Sequence, residues 1–308
     1  MEMCNNDMDL ASKSFSVQGV TYTRNDDFLG KGAFGVVFGG SGSDGSTVAI
    51  KCQFVGERNS RKSIVQEYDI HWDLTKKDTS GHVIRLFGMN KIPQMISFVV
   101  EFAPQSLYDK LKMKSVTPEE AHHYFRMLVD AIEFVHSEMI VHCDIKPENL
   151  LICDGTLKLA DFGKAKRMKN KDQKFKNEES IGTKQYAAPE LWKKDNVEGR
   201  QLDIWCCGIV LLQLSQASLE LWEIADESDK KYSRWMELVN GGKLARSDFC
   251  YKFKPATISL LKKMLCVEPG KRIKIEEIKE DPCYTGETAV RKRKAIGNTG
   301  KAAKKGKK

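Results

Sequence analysis

The feature that most constrains the fold of this chain is a set of short motifs that occur in a fixed order along its 308 residues. They are LGKGAFGVV from Leu29, VAIK ending at Lys51, HCDIKPEN from His142, DFG from Asp161, GTKQYAAPE ending at Glu190, and EPGKR ending at Arg272. A chance match to any one of these motifs is credible. A chance match to all of them, in this order and spacing, is not, so the motifs are interpreted together.

The hydrophobic pattern changes from strand-like to helical near residue 103. Before that point, short apolar runs alternate with Gly, Asn, Asp and Ser, which predicts a small antiparallel sheet with strands at residues 28–38, 47–55, 84–89 and 96–102. One helix is predicted inside this part, at residues 61–74, because Ile64, Glu67 and Ile70 share one face. Glu67 is the exception on that face, since the other members are apolar.

Helical signals dominate from Thr117 onward. Thr117 and Glu120 make a capping box with Pro118 at the first helical position, and the apolar stretch at residues 205–214 predicts a fully buried helix that is too short to span a bilayer. We therefore predict an α+β fold of two lobes. A small antiparallel β-sheet with one helix occupies residues 22–102, a larger and mainly helical lobe occupies residues 103–284, and a flexible arm at residues 1–21 precedes both.

The formal charge of +8 belongs to one end of the chain. Residues 285–308 carry nine Lys and Arg and one Glu, so the remaining 284 residues are formally neutral. We predict a basic, disordered tail whose two clusters, RKRK and KAAKKGKK, fit a nuclear import signal. Sequence-independent binding to nucleic acid is a less favoured alternative, because the tail has no aromatic residue for base stacking. A tail that only improves solubility is the third interpretation.

The glycine-rich stretch and Lys51 indicate phosphate binding. Glycines let backbone amides approach phosphates without an obstructing side chain, although the same G-x-G-x-x-G pattern also marks dinucleotide-binding folds. A dinucleotide site should open a helix within a βαβ unit, whereas this loop leads into more strand. Lys51 follows in the next predicted strand with no adjacent acid, and its natural partner is Glu67.

Taken together, these motifs resemble those of the eukaryotic protein kinase family, over roughly residues 22–284. The D-x-K-P-E-N form of the loop around Lys146 is typical of serine/threonine kinases, so the resemblance implies an ATP- and Mg²⁺-dependent enzyme that phosphorylates protein Ser and Thr hydroxyls. Within the family, the segments QLDIWCCGIVL and VEPGKRIKIEEIKEDPCY are most similar to the checkpoint effector kinases of DNA-damage and cell-cycle signalling.

The resemblance implies roles for three sets of residues. The nucleotide-binding set is Leu29, Gly30, Lys31, Gly32, Ala33, Phe34, Gly35, Val36, Val37, Ala49, Lys51, Glu67, Glu101, Ala103 and Leu151. The metal-binding set is Asn149 and Asp161. The catalytic set is Lys51, Asp144, Lys146 and Thr183, in which Asp144 accepts the proton of the attacking hydroxyl. Outside these sets, Glu190 is expected to pair with Arg272, and Asp203 to anchor the catalytic loop.

Two departures from the family pattern bear on regulation and specificity. Cys143 stands where most kinases have the arginine that receives an activation-loop phosphate, so we hypothesise that phosphorylation of Ser180 or Thr183 is not needed for basal activity. The other reading is that Cys143 is a tolerated substitution. The segment after residue 103 lacks an acid that would meet a substrate arginine, but Glu148 remains and an acidic run follows at Glu220, Glu223, Asp226, Glu227 and Asp229. These acids predict a modest preference for upstream basic residues, and the alternative is that the run is only a solvated acidic loop.

The expected partners are therefore protein substrates, and the nuclear import machinery through residues 291–308. A nuclear and cytoplasmic location is predicted, with no membrane association. A pseudokinase scaffold, which would bind partners without phosphoryl transfer, is the main alternative from another functional class. It is disfavoured because Lys51, Asp144, Asn149 and Asp161 are all present.

Overall fold

The computed structural model describes residues 13–32, 35–57, 59–176, 183–193 and 196–286. The amino-terminal lobe is built on an antiparallel sheet with the strand order β1-β2-β3-β4-β6-β5. Its strands are β1 (Ser14–Val17), β2 (Val20–Lys31), β3 (Gly35–Gly42), β4 (Thr47–Phe54), β5 (Leu86–Ile92) and β6 (Met95–Glu101).

The sheet begins earlier than the sequence pattern predicted. Residues assigned to a flexible arm instead form β1 and the start of β2, joined by a tight turn in which Val17 pairs with Val20. Gln18 and Gly19 both have positive φ, of 50° and 85°, which suits the twist of a two-residue hairpin. The prediction failed because the alternation is short: Phe15 and Val17 on one strand and Val20 and Tyr22 on the other are its only apolar members. Val17 is buried by packing within the small lobe, where it lies against Gly88.

The predicted strand at residues 28–38 proves to be parts of two strands. β2 and β3 are antiparallel neighbours, and Gly30 pairs with Val37 across the turn that joins them. The described glycines of the motif, Gly30, Gly32 and Gly35, therefore lie where two antiparallel strands meet, which is a different setting from the strand-to-helix turn of a dinucleotide site.

The helix of the small lobe, α1 (Arg61–Lys77), extends one turn beyond the predicted end. Ser60 caps its first turn by accepting a hydrogen bond from the Ser63 backbone, and Lys76 and Lys77 lie in its last turn, where cations favour the helix dipole. Its buried face includes Glu67 beside Ile64 and Ile70, as the pattern predicted.

The larger lobe is mainly helical. Its helices are α2 (Leu107–Lys112), α3 (Pro118–Ser137), α4 (Gly199–Gln216), α5 (Lys230–Val239), α6 (Pro255–Met264), α7 (Ile275–Glu280) and α8 (Pro282–Thr285). The capping box at Thr117 and Glu120 is present at the start of α3. The stretch expected to be a buried helix lies inside α4, and residues 202–214 of that helix are all buried. The two-lobed α+β architecture is confirmed.

Short strands connect the helical lobe to the site. They are β7 (Gln105–Ser106), β8 (Ile140–Val141), β9 (Leu150–Cys153), β10 (Thr156–Leu159), β11 (Lys166–Arg167), β12 (Lys174–Phe175) and β13 (Val197–Glu198). They pair as β10-β9-β7, β11-β8 and β12-β13. Among the helices that the structure describes, none combines the length and the apolar composition that a membrane crossing requires. The predicted tail is outside the described residues beyond Gly286, and its first two residues end helix α8.

Candidate active site

Lys51 lies at the centre of a charge cluster that joins the two lobes. Its ammonium group is 2.7 Å from Glu67 Oε1 on helix α1 and 2.8 Å from Asp161 Oδ1, which follows strand β10. The second oxygen of Glu67 accepts a hydrogen bond of 3.1 Å from Gln53 Nε2. The partner predicted for Lys51 from sequence is therefore the observed one, and it is braced by a buried glutamine that the motifs do not mark.

The protonation equilibria of this cluster follow from its burial and its uneven charge. Burial acts to lower the pKa of Lys51, but the charges of Asp161 and Glu67 outweigh burial and raise that pKa. The Lys51 charge lowers the pKa of Asp161 well below its usual range. Burial raises the pKa of Glu67, against the opposing effect of Lys51. Lys51 and Asp161 are therefore both charged at neutral pH.

Asp144, Lys146 and Thr183 form a closed triangle of hydrogen bonds. Lys146 Nζ is 2.9 Å from Asp144 Oδ2 and 2.8 Å from Thr183 Oγ1, and the Thr183 hydroxyl donates to Asp144 Oδ1 at 2.9 Å. These residues come from the catalytic-loop motif and from the segment 37 residues after Lys146. The triangle places a carboxylate, which can accept a proton, beside a cation and a hydroxyl, and this arrangement suits acid–base chemistry on a hydroxyl group.

Asn149 connects this triangle to the candidate metal site. Its Nδ2 donates to the backbone oxygen of Asp144 at 2.8 Å and lies 3.3 Å from Asp144 Oδ2. Because the amide nitrogen faces Asp144, Asn149 would coordinate a cation through Oδ1. One amide oxygen and the carboxylate of Asp161 suit Mg²⁺, which usually takes few protein ligands and completes its shell with phosphate oxygens and water. No group of three or more His, Cys, Asp and Glu arranged to hold a metal occurs in the described part of the chain.

Asp203 is fully buried on α4, and its carboxylate holds the backbone of the catalytic loop. Its carboxylate accepts hydrogen bonds from the backbone nitrogens of His142 at 2.9 Å and Cys143 at 2.8 Å, and it is 2.9 Å from His136 Nε2. Cys143 has a φ of 63°, a left-handed conformation that a non-glycine residue adopts at some cost. The bonds to Asp203 hold that conformation immediately before Asp144.

The described members of the nucleotide-binding set lie mostly on neighbouring strands of the small lobe, with Glu67 on helix α1. Ala49 pairs with Val100 between β4 and β6, and Val37 pairs with Lys51 between β3 and β4. The remaining members fall in three places. Leu29, Gly30 and Lys31 end β2, Gly35 and Val36 begin β3, and Leu151 lies in β9, while Gly32 and Ala103 lie outside the strands and Ala33 and Phe34 lie outside the described residues.

The carboxylate of Glu101 is bound by other groups of the protein. It receives Lys158 Nζ at 2.6 Å and the Arg85 backbone nitrogen at 3.1 Å. The backbone nitrogen of Glu101 donates to the Arg85 oxygen at 2.8 Å, so Glu101 can offer a nucleotide only its backbone oxygen.

Two buried side chains near the site were not found from sequence. His71 lies one turn after Glu67 on α1, where its ring packs 5.0 Å from that of Phe162 and its Nε2 donates to the Ile84 oxygen at 2.6 Å. Burial lowers the pKa of His71 to about 4, so it is neutral. The spacing of four residues from Glu67 places His71 beside the site, but no motif marks it. Gln53 was missed for the same reason.

Comparison with known proteins agrees with this geometry. The family described as protein kinase domain matches residues 23–284. The chain is 33% identical over 263 residues to the serine/threonine-protein kinase chk-1 of Caenorhabditis elegans, covering 83% of this chain and 51% of that protein. It is 34% identical over 205 residues to the SNF1-like protein kinase ssp2 of Schizosaccharomyces pombe, covering 66% and 34%.

A third relative is the CBL-interacting serine/threonine-protein kinase 5 of Arabidopsis thaliana, 31% identical over 259 residues that cover 82% of this chain and 56% of that protein. The chain thus spans about half the length of the chk-1 relative, 51%. Since the family match covers most of the chain and includes every motif described above, the chain belongs to the protein kinase family, whose substrate is ATP and whose usual cofactor is Mg²⁺.

Proposed function

We propose that the chain transfers the γ-phosphoryl group of ATP to Ser and Thr hydroxyls of protein substrates. The observation that carries this proposal is the triangle of Asp144, Lys146 and Thr183. In the proposed reaction, Asp144 orients the acceptor hydroxyl and accepts its proton. Lys146 stabilises the negative charge that develops between the acceptor and the phosphoryl group, and Thr183 holds both side chains in position.

The remaining site residues are proposed to bind the nucleotide. Lys51 contacts the α- and β-phosphates, and Glu67 keeps Lys51 in place. Asn149 and Asp161 would hold Mg²⁺, which supplies charge neutralisation at the phosphates when bound. The glycine-rich hairpin, residues 29–37, covers the phosphates, while Ala49, Leu151 and the backbone of Glu101 and Ala103 surround the adenine.

The substitution Asp144→Asn tests this function. It keeps the shape of the side chain but removes the base, so kcat should fall by on the order of 10² to 10⁴, while binding of ATP should persist. Transfer of radiolabelled phosphate to a generic Ser/Thr peptide measures the first quantity, and a thermal shift with ATP and Mg²⁺ measures the second. Asp154→Asn is a matched control, because Asp154 is exposed in the β9–β10 turn at a φ of 48° that asparagine tolerates. Equal transfer by wild type and Asp144→Asn would favour a pseudokinase scaffold.

Substrate preference is proposed from the charges near the triangle. Glu148 is exposed, whereas other nearby acids have partners: Asp109 is bound in the capping box of α2, and Glu220 is 2.7 Å from Lys231. The exposed carboxylate of Glu148 supports a modest preference for basic residues upstream of the acceptor. A peptide library scored with the same assay tests this preference, and selection of proline-directed or acidic peptides would contradict it.

A nuclear location and a role in DNA-damage or cell-cycle signalling are also proposed. They are supported by the basic clusters at residues 291–308 and by the similarity to the two nematode proteins named chk-1, at 33% and 32% identity. A fluorescent fusion lacking residues 287–308 that still entered the nucleus would contradict the import proposal. Normal cell-cycle arrest after DNA damage in cells that lack the protein would contradict the checkpoint role.

A further inference from the structure

A cluster of apolar side chains lies between the segment after DFG and the strand that leads into the catalytic loop. Val141, Cys143 and Met168 are buried together, and Met139 and Phe175 pack against them. We call these five residues the Cys143 cluster. Three of them precede Asp144 in the chain and two follow Asp161, so the cluster joins the two segments that carry the proposed catalytic residues.

Backbone pairing holds the segment on both sides of this cluster. Strand β11 pairs with β8, and the Met168 nitrogen donates to the Met139 oxygen at 2.7 Å. Strand β12 pairs with β13, which immediately precedes helix α4. The segment is thus attached at one point to the strand that leads into the catalytic loop and at another to the start of α4. Both attachments are made by backbone pairing, which needs no phosphorylation.

Phe175 packs directly on the first residue of α4. A Cβ atom added to Gly199 would lie 3.0 Å from Phe175 Cε2 and 2.7 Å from Val141 Cγ2, which leaves no room for a side chain there. The same helix carries Asp203, which holds the backbone of Cys143. The ring of Phe175 therefore fills the space between the segment, the catalytic loop and α4.

Cys143 contributes packing to this space, and it contributes no positive charge. Its side chain is 5% exposed, and burial raises the pKa of the thiol well above its usual value, so it is neutral. A phosphate group needs charged or multiple hydrogen-bond donors. Position 143 instead carries a small apolar side chain, which packs in the same cluster as Met168 and Phe175.

We propose that Phe175 and Met168 are positioning residues, whose packing on Cys143 and Val141 holds the segment that carries Thr183 against Asp144 without a phosphate group. The proposal rests on the proposed kinase function. It gives the unphosphorylated segment a physical anchor, eight residues before Thr183, whose hydroxyl donates to Asp144 at 2.9 Å. Removal of the anchor should therefore weaken the contact of Thr183 with Asp144 while leaving ATP binding intact.

Phe175→Ala, Phe175→Leu and Met168→Ala test the anchor in the full chain. Phe87→Ala is the matched control, because Phe87 is also a half-buried ring that packs at the edge of a cluster with a cation over its face, 5.3 Å from Arg85 compared with 5.5 Å from Lys166 over Phe175. After phosphatase treatment, kcat and KM for peptide and ATP are measured for each protein, together with hydrogen exchange of residues 183–193.

We expect kcat/KM for peptide to fall about tenfold or more in Phe175→Ala and Met168→Ala, which corresponds to about 1.4 kcal/mol, with KM for ATP unchanged. Phe175→Leu should recover most of the loss, Phe87→Ala should match wild type, and phosphatase treatment should change wild-type kcat/KM by less than about twofold. A tenfold loss on phosphatase treatment, or equal values for Phe175→Ala and Phe87→Ala, would overturn the proposal.

Hydrogen exchange separates this proposal from the proposed function. If the wild type shows no phosphoryl transfer, faster exchange of residues 183–193 in Phe175→Ala than in Phe87→Ala still supports the anchor. Equal exchange in the two variants overturns it, whether or not the wild type is active. Should Phe175→Ala not fold, Met168→Ala gives the same comparison with a smaller volume change.

Discussion

Two ion-pair sites in the described part of the chain, one at Arg272 and one at Lys51, differ in how completely their charges are satisfied. At Arg272, two guanidinium nitrogens lie 2.8 and 2.9 Å from the two oxygens of Glu190, and further N–H groups donate to the backbone oxygens of Gln201 and Cys266. The guanidinium also lies 5.1 Å from the ring centroid of Trp205. One cation meets one anion, and four of the five guanidinium N–H groups donate to these acceptors.

At Lys51, by contrast, one cation faces two carboxylates. Glu67 and Asp161 both contact the ammonium, so the site has an excess of negative charge even before Asp144 is counted. This excess suits a site that must attract divalent cations together with a nucleotide. The saturated pair at Arg272 therefore stabilises the fold, whereas the unsaturated site at Lys51 has negative charge available for binding.

The largest effect should come from breaking the saturated pair. Arg272→Ala leaves the buried Glu190 carboxylate without its partner, so the free energy of unfolding should fall by about 3–5 kcal/mol. Chemical denaturation followed by circular dichroism measures this loss. Activity should disappear only in proportion to the unfolded fraction, because neither residue touches the triangle of Asp144, Lys146 and Thr183.

Arg234→Ala provides a matched control for this prediction. Arg234 also makes a bidentate pair, with Asp248 at 2.7 and 2.8 Å, but its side chain is 33% exposed, whereas that of Arg272 is fully buried. Water can replace part of the lost interaction, so the destabilisation should be clearly smaller. Equal losses in the two variants would contradict the assignment of burial as the cause.

An intermediate effect should come from weakening the unsaturated site. Glu67→Gln keeps a hydrogen-bond acceptor near Lys51 but removes the charge that holds it, so kcat/KM should fall about tenfold to a hundredfold as Lys51 shifts toward Asp161. Stability should change little, because burial already opposes the charge of Glu67. Steady-state kinetics and a denaturation curve on the same sample give both quantities. A large loss of stability with unchanged kcat/KM would contradict this prediction, because Glu67 would then stabilise the fold and not serve binding.

Most residues of these two sites could be predicted because they lie in motifs whose spacing matches a known family, and Glu67 could be predicted because it is the exception on an apolar helix face. Lys51, Glu67, Asp161, Glu190 and Arg272 are all found where the motifs and the helix pattern place them. Local signals were also sufficient for the capping box at Thr117 and for the buried stretch within α4, since both depend on neighbouring residues alone.

The parts that could not be predicted depend on contacts between distant segments. β1 is stabilised by Val17 packing on Gly88, which is far away in sequence. The Cys143 cluster combines residues before the catalytic loop with residues after DFG, and none of its members carries a recognisable pattern. Gln53 and His71 are single polar residues on otherwise ordinary elements. The contacts of such residues can be identified only in the folded structure, where their partners lie beside them.

The smallest of the three effects concerns His71, which lies beside the unsaturated site. Burial lowers the pKa of His71 from 6.5 to about 4, so the unfolded chain binds more protons than the folded one between these values. Its contribution to stability is therefore complete above pH 6.5 and is lost as the pH falls toward 4. Between pH 7.5 and 5, the free energy of unfolding should fall by about 1–2 kcal/mol through this group.

The variant His71→Gln tests this prediction. It retains a donor for the Ile84 oxygen but cannot be protonated, so denaturation curves should show a flatter pH dependence over that interval. Parallel curves for wild type and variant would show that the acid sensitivity between pH 7.5 and 5 does not come from His71. The Lys51–Asp161 pair is a separate contribution, because the lowered pKa of Asp161 places the loss of that pair at lower pH.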